Sequence, residues 1–132
     1  MTELPPQVLD TAKRPDGCKI LTTINPDGTP HSVVCKTLFI PDRSTIGVGR
    51  IYFKNTCANL SRDPRAEFLI WLGPNAFSVQ CTLREEVAEG DALAAINEKL
   101  ESIGYRASSV LLFDVLGVSS EGLGADAGKR IA

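Results

Sequence analysis

The segment CKILTTINPDGTPHSVVCKTLFI, residues 18–40, restricts the fold of this chain more than any other. Two runs rich in β-branched residues flank NPDG, which places proline, aspartate and glycine where a tight reversal needs them. The spacing predicts a strand over 18–24 and an antiparallel partner over 31–40. A chain that begins its sheet with a hairpin is not starting a strand-helix-strand crossover.

The rest of the chain keeps to that theme. Pro5 and Pro6 followed by QVLDTAK predict a short helix ending before Pro15. PDRST is a turn, and IGVGRIYF over 46–53 reads as a third strand, giving a three-strand meander. CANLSR over 57–62 reads as a short helix that stops near Asp63, because Pro64 disfavours helical geometry in the residue before it. AEFLIWL is a nearly continuous apolar strand, whereas AFSVQCTLRE alternates Phe77, Val79, Cys81 and Leu83 with polar residues, as a half-buried strand does. Leu93, Ile96, Leu100 and Ile103 recur at helical spacing over 91–103, with Gly104 placed as the stop. SVLLFDVLGV is the last strand, and SSEGLGADAGKRIA reads as a loop or tail. The count is about six strands with flanking helices and no regular strand-helix alternation, which predicts a small, mostly antiparallel β-barrel.

With 132 residues, 43% of them hydrophobic and 23% charged, the chain has the size and balance of one globular domain over 1–132. A net charge of -2 and only 6% aromatic residues exclude a general polyanion-binding surface, so nucleic acid is not an expected partner. No apolar run is long enough to span a bilayer, and MTELPPQVLD lacks the pattern of a secretion signal, so a cytoplasmic protein is expected. Cys18, Cys35, Cys57 and Cys81 are scattered, and His31 is the single histidine, which excludes a standard zinc set and predicts reduced thiols.

Chemistry concentrates at FKNTCANLSRDPR, residues 53–65. A helix N-terminus exposes unpaired N–H groups and a partial positive charge, so it can hold a phosphate. Thr56 or Asn55 serves there as a plain cap, or Thr56 turns its hydroxyl to a phosphate while Lys54 adds a charge. Lys36 interrupts an apolar strand, either pointing to solvent or meeting the same anion. GVGR at 47–50 lacks the third glycine of a dinucleotide fingerprint and precedes a strand; GLGADAGKR lacks the first glycine and the Ser or Thr of a phosphate loop. Glu85, Glu86, Glu89 and Asp91 suit a solvated face leading into a helix, and no residue is assigned as catalytic.

ILTTINPDGTPHSVV, IYFKNTCANLSRDPRAEFLIW and AGKRI together resemble the flavin-binding split barrels related to pyridoxamine 5'-phosphate oxidase. The resemblance runs from about Lys19 to Ile131. It implies a six-stranded antiparallel split β-barrel, mainly β with flanking helices, that binds FMN. It further implies that Lys54, Asn55 and Thr56 meet the FMN phosphate, with Asn59 supporting the turn. Val34, Cys35 and Lys36 would lie along the flavin ring and ribityl chain, bordered by Ile51, Tyr52 and Phe53. The family's typical homodimer, with FMN at the subunit interface, is also implied. The expected activity is hydride or electron transfer, with a nicotinamide nucleotide or a redox protein as donor; the alternative is a non-catalytic carrier of flavin, deazaflavin or haem. The chain stops after KRIA, without the oxidase's longer carboxy-terminal segment, so pyridoxamine phosphate oxidation itself is not expected.

Overall fold

A computed structural model describes residues 2–132. Strands β1 (Cys18–Ile24) and β2 (Pro30–Val34) form the expected hairpin, with Thr23 opposite His31 and Leu21 opposite Val33. In its turn the Asp27 carboxylate accepts from the Thr29 N–H at 3.0 Å and from the Thr29 hydroxyl at 2.6 Å, an Asx turn that suits a hairpin tip.

The second arm does not run straight to Ile40. The Cys35 N–H still donates to the Lys19 carbonyl at 3.0 Å, but the Thr37 carbonyl already accepts from the Gly49 N–H at 3.3 Å. The Thr37 hydroxyl also donates to the Gly49 carbonyl at 2.8 Å. β3 (Leu38–Asp42) then pairs antiparallel with β4 (Thr45–Gly49). This change of partner at residues 35–37 turns one expected strand into two. The sheet therefore has seven strands instead of six, in the order β2, β1, β5 (Arg65–Leu72), β6 (Asn75–Val87), β7 (Val110–Ser120), β4, β3. The expected meander is divided between the two edges of the sheet, which stays open because β2 and β3 do not pair.

β4 stops at Gly49, and the expected continuation through Ile51, Tyr52 and Phe53 is not a strand. Tyr52 and Phe53 have φ of 66° and 21°, values foreign to extended backbone. Residues 51–53 instead make a tight turn, with the Phe53 N–H bonded to the Ile51 carbonyl at 2.9 Å. Helix α2 (Lys54–Arg62) follows directly, so it begins three residues before the expected start at Cys57.

β5 (Arg65–Leu72), β6 (Asn75–Val87) and β7 (Val110–Ser120) complete the sheet. Their alternation buries Phe68, Ile70, Val79, Phe113 and Val115 on one face. Phe68 and Phe113 meet edge to face at 5.1 Å and 84°, a favoured aromatic arrangement. Helix α1 (Pro6–Lys13) adds Val8 and Ala12 to this core, and Leu4 joins them. Helix α3 (Asp91–Glu101) buries only Leu100 fully. Its expected last apolar residue, Ile103, lies past the helix and is exposed.

The glycine-rich end is more than a loose tail. The Ile131 N–H donates to the Val118 carbonyl at 2.8 Å, and the Val118 N–H donates to the Ala132 carbonyl at 3.0 Å. Arg130 lies across Gly117, where a Cβ would come within 2.4 Å of its Nη2, so a side chain there would push the guanidinium aside. No helix of the described residues is long and apolar enough to cross a membrane.

Candidate functional site

The turn at 51–53 and the break at 35–37 stand on either side of a groove of about 350 Å³, lined by Val34, Lys36, Thr37, Ile51, Phe53, Leu100, Ile103 and Tyr105. Four residues expected at a flavin, Val34, Lys36, Ile51 and Phe53, are thus brought together. Val34 is 61% exposed and Tyr105 50%, so apolar surface opens outward from the groove, as at binding sites and interfaces. Thr37, Leu100, Ile103 and Tyr105 complete the wall and were not anticipated as site residues. Helical periodicity marked Leu100 and Ile103 as apolar but could not say what they would face.

Of the six residues expected along the flavin ring and its ribityl chain, two do not line the groove. Cys35 is buried, and burial pushes its thiol up to about 12. It contributes backbone and packing. Tyr52 is 85% exposed and absent from the groove's lining. Holding a bulky residue at positive φ costs about 1–2 kcal/mol, a cost that packing of the exposed Tyr52 ring among the described residues does little to offset.

Beyond Phe53 lies the start of α2. No side chain caps it: Phe53 occupies the cap position, and no acidic residue stands in the first turn. The expected capping by Asn55 or Thr56 is corrected here, because both lie inside the helix. The first intrahelical acceptor is the Phe53 carbonyl, bonded by the Cys57 N–H at 2.8 Å, which leaves the N–H groups of Lys54, Asn55 and Thr56 without partners among the described residues. Lys54 and Asn55 are exposed. A cation here opposes the helix dipole by about 0.3–1 kcal/mol.

Thr56 is 1% exposed, and its hydroxyl has no hydrogen-bond partner among the described residues. An unmet buried hydroxyl costs about 1–3 kcal/mol. A phosphate would reverse each of these deficits, since it accepts from backbone N–H and hydroxyl and attracts the lysine. Because the hydroxyl is covered, a phosphate oxygen reaches it only if the side chains above it give way.

Asn59 behaves differently. Its side-chain NH2 donates to Thr23 Oγ1 and to Asn25 Oδ1, both at 3.1 Å. It ties α2 to the first hairpin, and its donors are taken.

One supporting cluster was missed. The Arg50 guanidinium donates to Glu86 at 2.9 Å, and the Ser109 hydroxyl donates to the same Glu86 oxygen at 2.5 Å. The Ser109 hydrogen bond, and after it Arg50, hold the Glu86 carboxyl below its ordinary range. The Arg50 N–H also donates to the Ser109 carbonyl at 2.9 Å, and the Ser108 N–H to the Arg50 carbonyl at 3.0 Å. Arg50 thus anchors the end of β4 where the chain turns toward α2. Glu86 looked like part of a solvated face, since an acidic run carries no sign of a partner 36 residues away.

In sequence the chain matches no protein-family model and no curated protein. In structure it is similar to an FMN-binding protein from Syntrophomonas wolfei subsp. wolfei, with 18% identity over 89% of this chain and 84% of that one, and a TM-score of 0.75. An F420 reductase matches at 15% identity over 88% of this chain and 98% of its own, with a TM-score of 0.70. HutZ, the haem storage protein of Vibrio cholerae, matches at 13% identity over 90% and 95%, with a TM-score of 0.61. At these identities the likeness is one of fold. The chain accordingly has the fold of the FMN-binding split barrels related to pyridoxamine 5'-phosphate oxidase.

Proposed function

We propose that this chain binds FMN, with the phosphate on the N-terminus of α2 and the ring along the groove bordered by Val34, Lys36, Ile51 and Phe53. The observation that carries this reading is the Thr56 hydroxyl, buried and unpartnered in the first turn of a helix that begins with a lysine and no cap. That start is a poor design for a helix and a good one for an anion. Lys54, Asn55 and Thr56 would hold the phosphate, Asn59 would fix the helix they stand on, and the backbone at Cys35 would help shape the ring's edge.

Bound flavin would supply hydride or electron transfer, making the protein an oxidoreductase served by a nicotinamide nucleotide or a redox protein. The chain's residues would bind and orient the ring and limit its access to water. The exposed apolar side chains Val34, Tyr52, Ile103 and Tyr105 support a second copy closing the groove, with FMN at the subunit interface. The alternative of a non-catalytic carrier, for flavin, deazaflavin or haem, is favoured by the likeness in fold to a haem storage protein.

An absorption spectrum of protein purified without added cofactor tests the choice. Flavin bands that bleach with NADH or NADPH support the nicotinamide-served oxidoreductase, and flavin bands that no nicotinamide changes support electron transfer with a redox protein, or storage. A haem band, or no uptake of added FMN, refutes FMN binding.

A further inference from the structure

One wall of the groove, supplied by Leu100, Ile103 and Tyr105, belongs to a segment that is bonded mainly to itself. The chain leaves the sheet after Val87, which pairs with Val110. It is tied back at Ser108, whose N–H donates to the Arg50 carbonyl at 3.0 Å. Among the described residues, no hydrogen bond joins 88–107 to the rest of the chain, and none of its charged side chains enters an ion pair.

Inside the segment the bonding is good. The Asn97 side chain clasps residue 107, donating to the Ala107 carbonyl at 3.1 Å and accepting from the Ala107 N–H at 2.7 Å. The Tyr105 N–H donates to the Leu100 carbonyl at 3.2 Å. These bonds join α3 to the return that follows it, so the two move together.

What holds this unit to the body is apolar contact over a small area. A Cβ on Gly49 would lie 3.1 Å from Ile96 Cγ2 and 3.3 Å from the Ala107 Cβ, so both rest on the end of β4. Leu100 and Ala107 are buried, yet they stand apart from the main core cluster. α3 and residues 104–106 also border an open hollow of about 780 Å³, to which the rest of the chain contributes no lining residue. The turns on either side of α3 are glycines at positive φ, Gly90 at 115° and Gly104 at 78°, and nothing lies within 4 Å of where either Cβ would be. Few buried contacts and freely turning ends are the marks of a segment that opens locally.

We propose that residues 88–107 are a hinged flap, which lifts from Gly49 to admit a flavin ring and returns to set Ile103 and Tyr105 against it. The ligand rests on the flavin reading; the hinge rests on the segment's own bonding.

Hydrogen–deuterium exchange followed by mass spectrometry tests the flap. The 11 residues of α3 are too few to stay helical away from their support, so opening exposes their amides. In cofactor-free protein, peptides covering 91–107 should exchange together, about 100-fold faster than those of β5 and β6. Asn97→Ala, which cuts the clasp, should speed them further and leave β5 and β6 as they were. With free FMN at about ten times its Kd, exchange over 91–107 should slow about ten-fold, because only the closed flap holds the ring. Sheet-like protection of 91–107 without FMN, or rates there that bound FMN leaves unchanged, would overturn the flap. FMN fluorescence that the protein does not quench would refute the flavin reading instead, and the cofactor-free rates of the parent and Asn97→Ala would still decide whether the flap opens.

Discussion

The two ends of α2 are built on opposite plans. At its C-terminal end the capping N–H and the charged side chains are engaged: the Asp63 N–H donates to the Asn59 carbonyl at 2.8 Å, Arg62 donates to the Ile24 carbonyl, and Asp63 accepts from Arg65 at 2.7 and 3.0 Å. Those Arg65 hydrogen bonds hold the Asp63 carboxyl down at about 2. At its N-terminal end there is no cap, a lysine faces the wrong pole of the helix, and the Thr56 hydroxyl is unmet. Nine residues thus hold a finished end and an unfinished one. The finished end serves the fold, and the unfinished end is the part that a ligand would complete.

Substitutions at the two ends should therefore separate stability from binding. The largest effect is expected for Asn59→Ala, which orphans Thr23 and Asn25 and should cost about 2 kcal/mol of stability, measured by urea denaturation. A parent-like midpoint would put the helix anchor elsewhere. At the other end, Thr56→Val keeps the shape and removes the unmet hydroxyl. It should raise stability by up to about 1 kcal/mol while lowering FMN affinity about ten-fold, an opposition of sign that no purely structural threonine produces.

Lys54→Ala should act in the same sense more weakly. Stability should rise by about 0.3 kcal/mol as the helix dipole is relieved, and FMN affinity should fall several-fold at low salt and less at high salt, as ionic screening requires. The smallest effect belongs to the Glu86 cluster. Its carboxyl pKa is lowered in the folded state, so its stabilisation is present above the ordinary value of 4.5 and is lost as pH falls through the folded value. Glu86→Gln should abolish that part of the acid sensitivity, seen as a flatter melting temperature between pH 5 and pH 3.

The strands were legible because alternation and turn chemistry are local. NPDG fixed the first hairpin, and the alternation from Phe77 to Leu83 identified a half-buried strand. The sheet order was less so, since the change of partner at residues 35–37 depends on Lys19 and Gly49, which lie far away in the chain. Ile51, Tyr52 and Phe53 have strand-forming side chains, yet tertiary context holds two of them at positive φ. At the site, the residue types of Lys54 and Thr56 pointed to an anion, but only the structure shows that the helix is uncapped and the hydroxyl alone. Tyr105 gave no periodic signal.

The most direct test compares FMN with riboflavin, which differ only by the phosphate. Titrated against the cofactor-free protein by fluorescence quenching, FMN should bind at least about 100-fold more tightly, since two charge-assisted contacts are worth about 3 kcal/mol together. Thr56→Val should narrow that ratio about ten-fold. Equal affinities for the two flavins would contradict the assignment of the α2 N-terminus as a phosphate site.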